Sequence, residues 1–281
     1  MGCGYNPRVD EIGMKDLHSY WNEIAVRIKE AEHILLLIDY DGTLTPTVEK
    51  PELAELAPMV RVCLQRLAKS PRLSLGIVSG RAMEDLRERV GINGIIYVGN
   101  HGLEIEGTGI SFVNPAAEKA KPLLHSLCEE LSKAIAHIKG ARVDNKGLTL
   151  SLHYRLVDEE WLEEMDKIFH HIIDPFLASG KVKATPSKKA YDIRPAVDWD
   201  KGKAIEFLAQ KYSGRDRLVI FLGDDVTDYD GFRVVDKNGG ISVFVRSEEN
   251  VESQAQYLLR SPNEVYQFLT MLVKALELGG S

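Results

Sequence analysis

Apolar residues in this chain fall into short continuous runs that are separated by stretches with helical spacing. Continuous apolarity predicts strands at residues 34–38, 73–78, 95–98, 218–222 and 241–245. Runs without alternation are typical of strands that are covered on both faces, as in a parallel sheet. Helical spacing lies between the runs, and the predicted helices are residues 54–69, 81–90, 201–212 and 262–277. The alternation of strand and helix predicts a doubly wound α/β layer.

The segment before the first strand has a helical pattern of its own. Leu17, Trp21, Ile24 and Ile28 recur at the spacing of one helix face, which predicts an amphipathic helix over residues 14–31. We therefore expect residues 1–31 to form an N-terminal helical segment.

The middle of the chain breaks the alternation. Residues 116–138 and 158–172 have helical spacing, and each is followed by a pair of strand-like stretches. The first pair surrounds the turn residues Asn145, Lys146 and Gly147. Two successive helix–strand–strand units predict a small α+β module with an antiparallel sheet. We expect residues 32–111 and 195–281 to form the core, with residues 112–194 inserted as a cap.

Composition narrows the class of protein. The 281 residues carry a formal net charge of −7, which argues against a large nucleic-acid footprint built from clustered Lys and Arg. Cys3, Cys63 and Cys128 are widely spaced and form no C-x-x-C pair. No segment has the pattern of a signal peptide or membrane span. We expect reduced thiols in a cytoplasmic protein that binds neither nucleic acid nor membrane.

Acidic residues gather where two predicted strands, 34–38 and 218–222, end. They are Asp39 and Asp41 in DYDGT, and Asp224, Asp225 and Asp228 in GDDVTD. Because open parallel sheets bind ligands at the carboxyl ends of their strands, we expect these carboxylates to converge. Two unit charges about 4 Å apart repel by roughly 4 kcal/mol at an effective dielectric of about 20, so the cluster needs a cation or raised pKa values. All-oxygen ligands favour Mg²⁺.

The spacing of Asp39 and Asp41 suits phosphoryl chemistry. Gly42 permits a sharp exit from the strand, so that one carboxylate can attack an electrophile while its neighbour handles a proton. A phosphoryl group fits, since Mg²⁺ neutralises its oxygens, and Thr43 and the turn N–H groups can cradle it. For this pair alone, the alternative is that Asp and Gly after a strand are turn residues.

Two further segments have the chemistry of phosphate contacts. Ser79, Gly80 and Arg81 lie between a predicted strand and a predicted helix, where a hydroxyl at the helix N-terminus suits phosphate or serves as an N-cap. Lys201 opens another predicted helix, where its charge can neutralise both phosphate and nucleophile. A lone helical lysine is more often a solvated surface charge.

The segments DYDGT, SGR, DKGKA and GDDVTD, in this order at strand ends, resemble the motifs of the haloacid dehalogenase (HAD) superfamily of aspartyl phosphatases. The resemblance implies a Rossmann-like core with a parallel sheet and an inserted α+β cap of the C2 type. It implies Asp39 as nucleophile, Asp41 as general acid/base, and Ser79 and Lys201 as catalytic phosphate contacts. The implied Mg²⁺ ligands are Asp39, the main-chain carbonyl of Asp41, and Asp224, with Asp225 and Asp228 in support.

The segments GNHGLEIEG, VDNKGLTLSLHYR and KKAYDIRP are similar to those of the trehalose-6-phosphate phosphatase family, and the resemblance runs from about residue 34 to residue 270. It implies substrate contacts at Asp144, Lys146, Arg155, Lys188 and Asp192. For His101 and Glu104, both a hinge role and a sugar contact are open. For any single cap charge, the alternative is a surface ion pair that contributes under about 1 kcal/mol.

The resemblance implies Mg²⁺-dependent hydrolysis of trehalose 6-phosphate through an aspartyl-phosphate intermediate, as a step of trehalose biosynthesis. Asp144 and Asp192 stand where the family usually has Glu, so another glycosyl phosphate, such as sucrose phosphate or glucosylglycerol phosphate, is the alternative substrate. The other alternative is a non-catalytic sugar-phosphate sensor or regulatory subunit. A trehalose-6-phosphate synthase partner is left open.

Overall fold

The structure is a computed structural model that describes residues 13–48, 51–187, 189–212, 217–246 and 254–278. The described residues fall into two compact units, divided after Ser111 and after Asp198. The strands of these residues are β1 Lys15–Asp16, β2 His33–Asp39, β3 Leu73–Val78, β4 Ile96–Gly99, β5 Glu104–Gly107, β6 Ile110–Val113, β7 Arg142–Asn145, β8 Leu150–His153, β9 Val182–Ser187, β10 Ala190–Pro195, β11 Arg217–Gly223, β12 Ile241–Val245 and β13 Tyr257–Leu259. The helices are α1 Trp21–Glu30, α2 Pro58–Leu67, α3 Met83–Val90, α4 Pro115–Ala134, α5 Glu159–Ala178, α6 Lys201–Lys211, α7 Tyr229–Lys237 and α8 Pro262–Leu278.

The central sheet explains the continuous apolar runs. Its order among the described residues is β1-β13-β12-β11-β2-β3-β4-β5-β6. The pairs from β1 to β4 in this order are parallel, and β5 is antiparallel to β4. Successive side chains of a strand point to opposite faces, yet Leu35, Leu36, Leu37 and Ile38 are all fully buried, so both faces of β2 are covered. The predicted parallel α/β core is confirmed.

The N-terminal segment differs from its prediction. The helix begins at Trp21 rather than at residue 14, because Lys15 and Asp16 form a short strand parallel to β13. Asp16 stabilises this arrangement: its carboxylate accepts the Ser19 N–H at 2.9 Å and pairs with Arg260. The predicted helix over 14–20 was therefore wrong. The helical pattern describes which side chains are buried, whereas the backbone pairs with a strand that lies far along the chain.

The second unit is built around a four-stranded antiparallel sheet with the order β7-β8-β10-β9. The helices α4 and α5 pack on one face of this sheet, where residues such as Leu131 and Phe169 join Leu152 and Ile193 in a common core. The α5 helix is six residues longer at its C-terminal end than the pattern predicts, since it continues to Ala178 with Pro175 inside it. The assignment of this unit as a substrate-selecting cap stays a prediction.

Within the described ranges, no helix combines the length and apolarity that crossing a membrane requires. Cys63 and Cys128 are free thiols, whereas Cys3 lies outside the described residues.

Candidate active site

Three buried aspartates meet at the carboxyl end of the central sheet. Asp39 ends β2, Asp224 follows β11, and Asp228 lies in the short 3₁₀ turn Val226–Asp228. Each contributes a carboxylate oxygen to a group whose atoms all lie within 4.8 Å of one another. Their exposed fractions are 4%, 1% and 0%, respectively. The structure thus brings the ends of the two acidic segments to one point.

The pairing of the two strands and a glycine make this meeting possible. Ile38 pairs with Leu222, so β2 and β11 end side by side. Gly42 has a φ of +87°, which favours glycine. A Cβ on Gly42 would lie 2.0 Å from Oδ2 of Asp224, so a larger residue would displace that carboxylate. The glycine of DYDGT therefore lets the backbone approach the acidic group closely.

Lys201 supplies a cation inside this group. It is the first residue of α6, and its Nζ lies 2.7 Å from Oδ1 of both Asp39 and Asp228. Burial lowers the pKa of Lys201, but the two carboxylates outweigh burial and the pKa lies above its ordinary value. Burial also raises the pKa of Asp39 well above its usual range; Lys201 opposes that rise, and the charges of Asp228 and Asp224 add to it.

The charge balance of the group fits a divalent cation. Asp39, Asp224 and Asp228 bring three carboxylates together, and the single charge of Lys201, which pairs with Asp39 and Asp228, does not balance three. Carboxylate oxygens are the ligands that hard cations such as Mg²⁺ prefer. The donor atoms that the structure gathers here therefore suit Mg²⁺.

Asp225 and the carboxylate of Asp41 lie outside this group of three. Asp225 caps the following turn, where its Oδ1 accepts the Val226 N–H at 2.6 Å. Asp228 holds the same loop, since its Oδ2 accepts the N–H groups of Asp224 and Asp225, each at 3.0 Å. The sequence predicted Asp225 as a supporting metal residue; that role stays a prediction, and the hydrogen bond to the Val226 N–H lies within the loop.

The Asp41 carboxylate faces the SGR segment. Arg81 donates to both of its oxygens, from Nε at 2.7 Å and from Nη2 at 2.6 Å. The Ser79 hydroxyl lies 3.5 Å from Oδ2 of Asp41, and its oxygen accepts the Arg81 N–H at 3.2 Å. Burial would lower the pKa of Arg81, but Asp41 and Asp85 together hold it above its ordinary value. Sequence reasoning missed Asp85, although its place four residues after Arg81 is a usable signal.

The other predicted core contacts lie around the same loops. The Thr43 hydroxyl donates to Asp224 at 3.4 Å. The His101 ring lies against Gly80, where a Cβ would approach Cε1 to 2.4 Å. His101 has a φ of +57°, and its N–H donates to the Ser79 carbonyl at 3.0 Å. Glu104 accepts a hydrogen bond from Asn100 at 3.3 Å. His101 therefore contacts the backbone of the SGR segment.

In the second unit, the predicted sugar contacts lie on or beside the polar face of the antiparallel sheet. Asp144, Ser151 and Asp192 are in cross-strand register. Asp192 is buried, accepts a hydrogen bond from the Ser151 hydroxyl, and lies 3.7 Å from the Nζ of Lys146. Arg155 follows β8 and is half-buried.

Lys188 lies outside the described residues. Sequence reasoning missed Ser151, for which the alternation of LSLH was the available signal.

Solved structures show the same fold. The C-terminal domain of the Candida albicans trehalose-6-phosphate phosphatase aligns with a TM-score of 0.79 and 22% identity, over 96% of this chain and 98% of that one. The C-terminal domain of the C. albicans trehalose synthase regulatory protein aligns with a TM-score of 0.69 and 17% identity, over 88% and 97%. The fold is that of HAD-like hydrolases, as the motifs predicted.

Comparison of the sequence with known families identifies the family as well as the fold. The family model for trehalose-phosphatase matches residues 37–263. A probable trehalose-phosphate phosphatase 4 of Oryza sativa subsp. japonica is 34% identical over 264 residues, which cover 91% of this chain and 70% of that protein. The matched range includes both strand ends that carry the buried aspartates. The chain belongs to the trehalose-phosphatase family.

Proposed function

We propose that the protein is a Mg²⁺-dependent phosphatase that hydrolyses trehalose 6-phosphate to trehalose and inorganic phosphate. The observation that carries this proposal is the group of Asp39, Asp224 and Asp228 around Lys201, buried at the carboxyl ends of β2 and β11. Such a group is costly to bury, and with a bound divalent cation it suits a site that handles an anionic substrate. Family membership supplies the reaction class.

The first half of the proposed reaction transfers the phosphoryl group to the protein. A carboxylate oxygen of Asp39 forms a bond to phosphorus while the bond between phosphorus and the sugar oxygen breaks. Asp41 gives its proton to the departing sugar oxygen. Lys201 holds Asp39 in place through its 2.7 Å contact and offsets negative charge beside it.

The second half returns the protein to its starting state. Asp41, now a carboxylate, takes a proton from water while the water oxygen forms a bond to phosphorus. The bond between phosphorus and Asp39 breaks, which releases inorganic phosphate. Mg²⁺, when bound by Asp39, Asp224 and Asp228, would neutralise the charge of the phosphoryl oxygens.

The polar sheet face of the second unit supports the choice of a sugar ester. Lys146, Asp192 and Ser151 form a connected set of donors and acceptors, and Asp144 is in register with them. Sugar hydroxyls need such fixed partners, and a site built to pair hydroxyls rejects analogues without them by about 10⁴-fold. The departures to Asp at residues 144 and 192 keep other glycosyl phosphates as the alternative.

The proposal is tested by measuring kcat/KM with Mg²⁺ for trehalose 6-phosphate, sucrose phosphate and glucosylglycerol phosphate. We expect trehalose 6-phosphate to rank first. A low rank would reject this substrate while keeping the chemistry. Phosphate release by the purified chain alone would eliminate a purely regulatory role, and it would show that a synthase partner is not needed for turnover. A cytoplasmic location stays a prediction.

A further inference from the structure

The guanidinium of Arg81 is engaged by other groups of the protein. Its side chain is only 8% exposed, whereas the side chain of Asp41 is 43% exposed. Two nitrogens of Arg81 hold the two oxygens of Asp41, at 2.7 and 2.6 Å. Nη2 also donates to the carbonyl of Pro51 at 2.7 Å. A planar guanidinium that holds both oxygens of a carboxylate fixes the rotation of that carboxylate as well as its position.

A further layer of contacts holds Arg81 itself. Its Nη1 donates to Oδ2 of Asp85 at 2.7 Å, and Oδ1 of Asp85 accepts from Nε of Arg89 at 2.8 Å. Arg89 in turn donates to the carbonyls of Glu52 and Ala54, at 3.1 and 3.2 Å. Arg81 therefore cannot turn toward a ligand without breaking several charged hydrogen bonds at once.

We propose that Arg81 is a positioning residue, which holds the Asp41 carboxylate for hydrolysis of phosphorylated Asp39, and that it is not a substrate contact. This inference rests on the proposed function. In the second half of that reaction, Asp41 must take a proton from water while the water oxygen attacks phosphorus. A bidentate pair with Arg81 suits the carboxylate form of Asp41 and orients it for this step.

The first test is Arg81→Lys. This variant keeps the positive charge and removes the planar guanidinium that holds both oxygens of Asp41. We expect kcat to fall by about 10- to 100-fold while KM stays within about 3-fold, since a misplaced general base slows hydrolysis and not binding. A protonated Asp41 cannot accept from Arg81 at both oxygens, so the bidentate pair is complete only in the second half of the reaction. The variant should therefore slow hydrolysis more than formation, and phosphorylated Asp39 should accumulate during turnover. Acid-quenched enzyme is measured by intact-protein mass spectrometry, and peptide mapping locates the phosphate.

A second variant keeps the test valid if Arg81→Lys folds poorly. Asp85→Asn weakens the support of Arg81 without touching Asp41, and it should shift kcat and phospho-Asp39 in the same direction by about 3- to 10-fold. Arg87→Lys is the matched control. Arg87 lies on α3, as Asp85 does, and forms an exposed ion pair with Glu106 at 2.7 Å. That variant should behave as wild type.

Two outcomes overturn the inference. A raised KM with a retained kcat in Arg81→Lys would make Arg81 a substrate contact. A lower kcat in both variants, with phospho-Asp39 no higher than in wild type, would place the defect outside hydrolysis. If the wild-type enzyme turns over and phosphate is never found on Asp39 in any variant, the aspartyl-phosphate route is wrong and the inference is wrong with it; no turnover of any glycosyl phosphate by the wild type would instead disprove the proposed function.

Discussion

The charged residues of the core and those of the second unit lie in different surroundings. In the core, Asp39, Asp224 and Asp228 are almost completely buried, and the ammonium of Lys201 pairs with the first and the last of them. In the second unit, Asp192 is buried but Lys146, Asp144 and Arg155 are half-buried, and 3.7 Å separates Nζ of Lys146 from Oδ1 of Asp192. Burying a charge costs several kcal/mol, and a pair in water costs little. Burial therefore makes the core acids strong evidence for a function, whereas the charges of the second unit are evidence only as a set.

The largest expected effect comes from the proposed nucleophile. Asp39→Asn keeps the shape of the side chain and removes its nucleophilic charge. We expect turnover to fall by at least about 10⁴-fold, because the variant lacks the carboxylate that is proposed to form the covalent intermediate. Phosphate release measures the loss, and a melting curve that resembles wild type shows that the fold is intact. Activity near the wild-type level would disprove the mechanism.

The second effect tests the buried cation. Lys201→Met leaves Asp39 and Asp228 without their shared partner, so we expect a loss of roughly 3–5 kcal/mol in the unfolding free energy of the metal-free protein. We also expect kcat to fall by about 10²- to 10³-fold. Urea unfolding with and without Mg²⁺ measures the first, and Mg²⁺ should restore part of the stability. Lys211→Met, an exposed position on the same helix, is the control; an equal loss there would refute the argument.

The third prediction tests whether the second unit binds the sugar while the core performs the chemistry. Lys146→Ala removes the positive charge that pairs with Asp192 on the polar sheet face. We expect kcat/KM for the sugar ester to fall by about 10- to 100-fold, and that for p-nitrophenyl phosphate to change by less than about 3-fold, since only the former has hydroxyls to bind. The exposed Lys133 of α4 gives the matched control, Lys133→Ala. An equal loss with both esters would place Lys146 in the chemical step.

The smallest effect comes from an exposed pair. Arg66 and Glu277 lie 2.6 Å apart, with side chains that are 50% and 57% exposed. Arg66→Ala should change the unfolding free energy by no more than about 1 kcal/mol, because water already solvates both charges. A chemical unfolding curve measures this. If Arg66→Ala lowered the unfolding free energy as much as Lys201→Met does, burial would not explain why the two ion pairs differ.

The parts of the fold that could be predicted from sequence are those that local patterns encode. Continuous apolarity marks β2 and β11, and acids directly after parallel strands must lie at the same edge of the sheet. The short strand β1 could not be predicted, because its pairing with β13 depends on residues far away in the chain. For the same reason, the SGR segment predicted a phosphate contact for Arg81, whereas its contact with Asp41, which lies 40 residues earlier in the chain, emerges only from three-dimensional packing.

The proposed mechanism requires a divalent ion among the three buried acids. Mn²⁺ has an anomalous scattering signal that Mg²⁺ lacks, so the measurement is anomalous diffraction from a crystal soaked with Mn²⁺, after showing that Mn²⁺ supports phosphate release in solution. We predict one strong anomalous peak in contact with the carboxylates of Asp39 and Asp224. A crystal of the active enzyme with no peak between these residues would contradict the account.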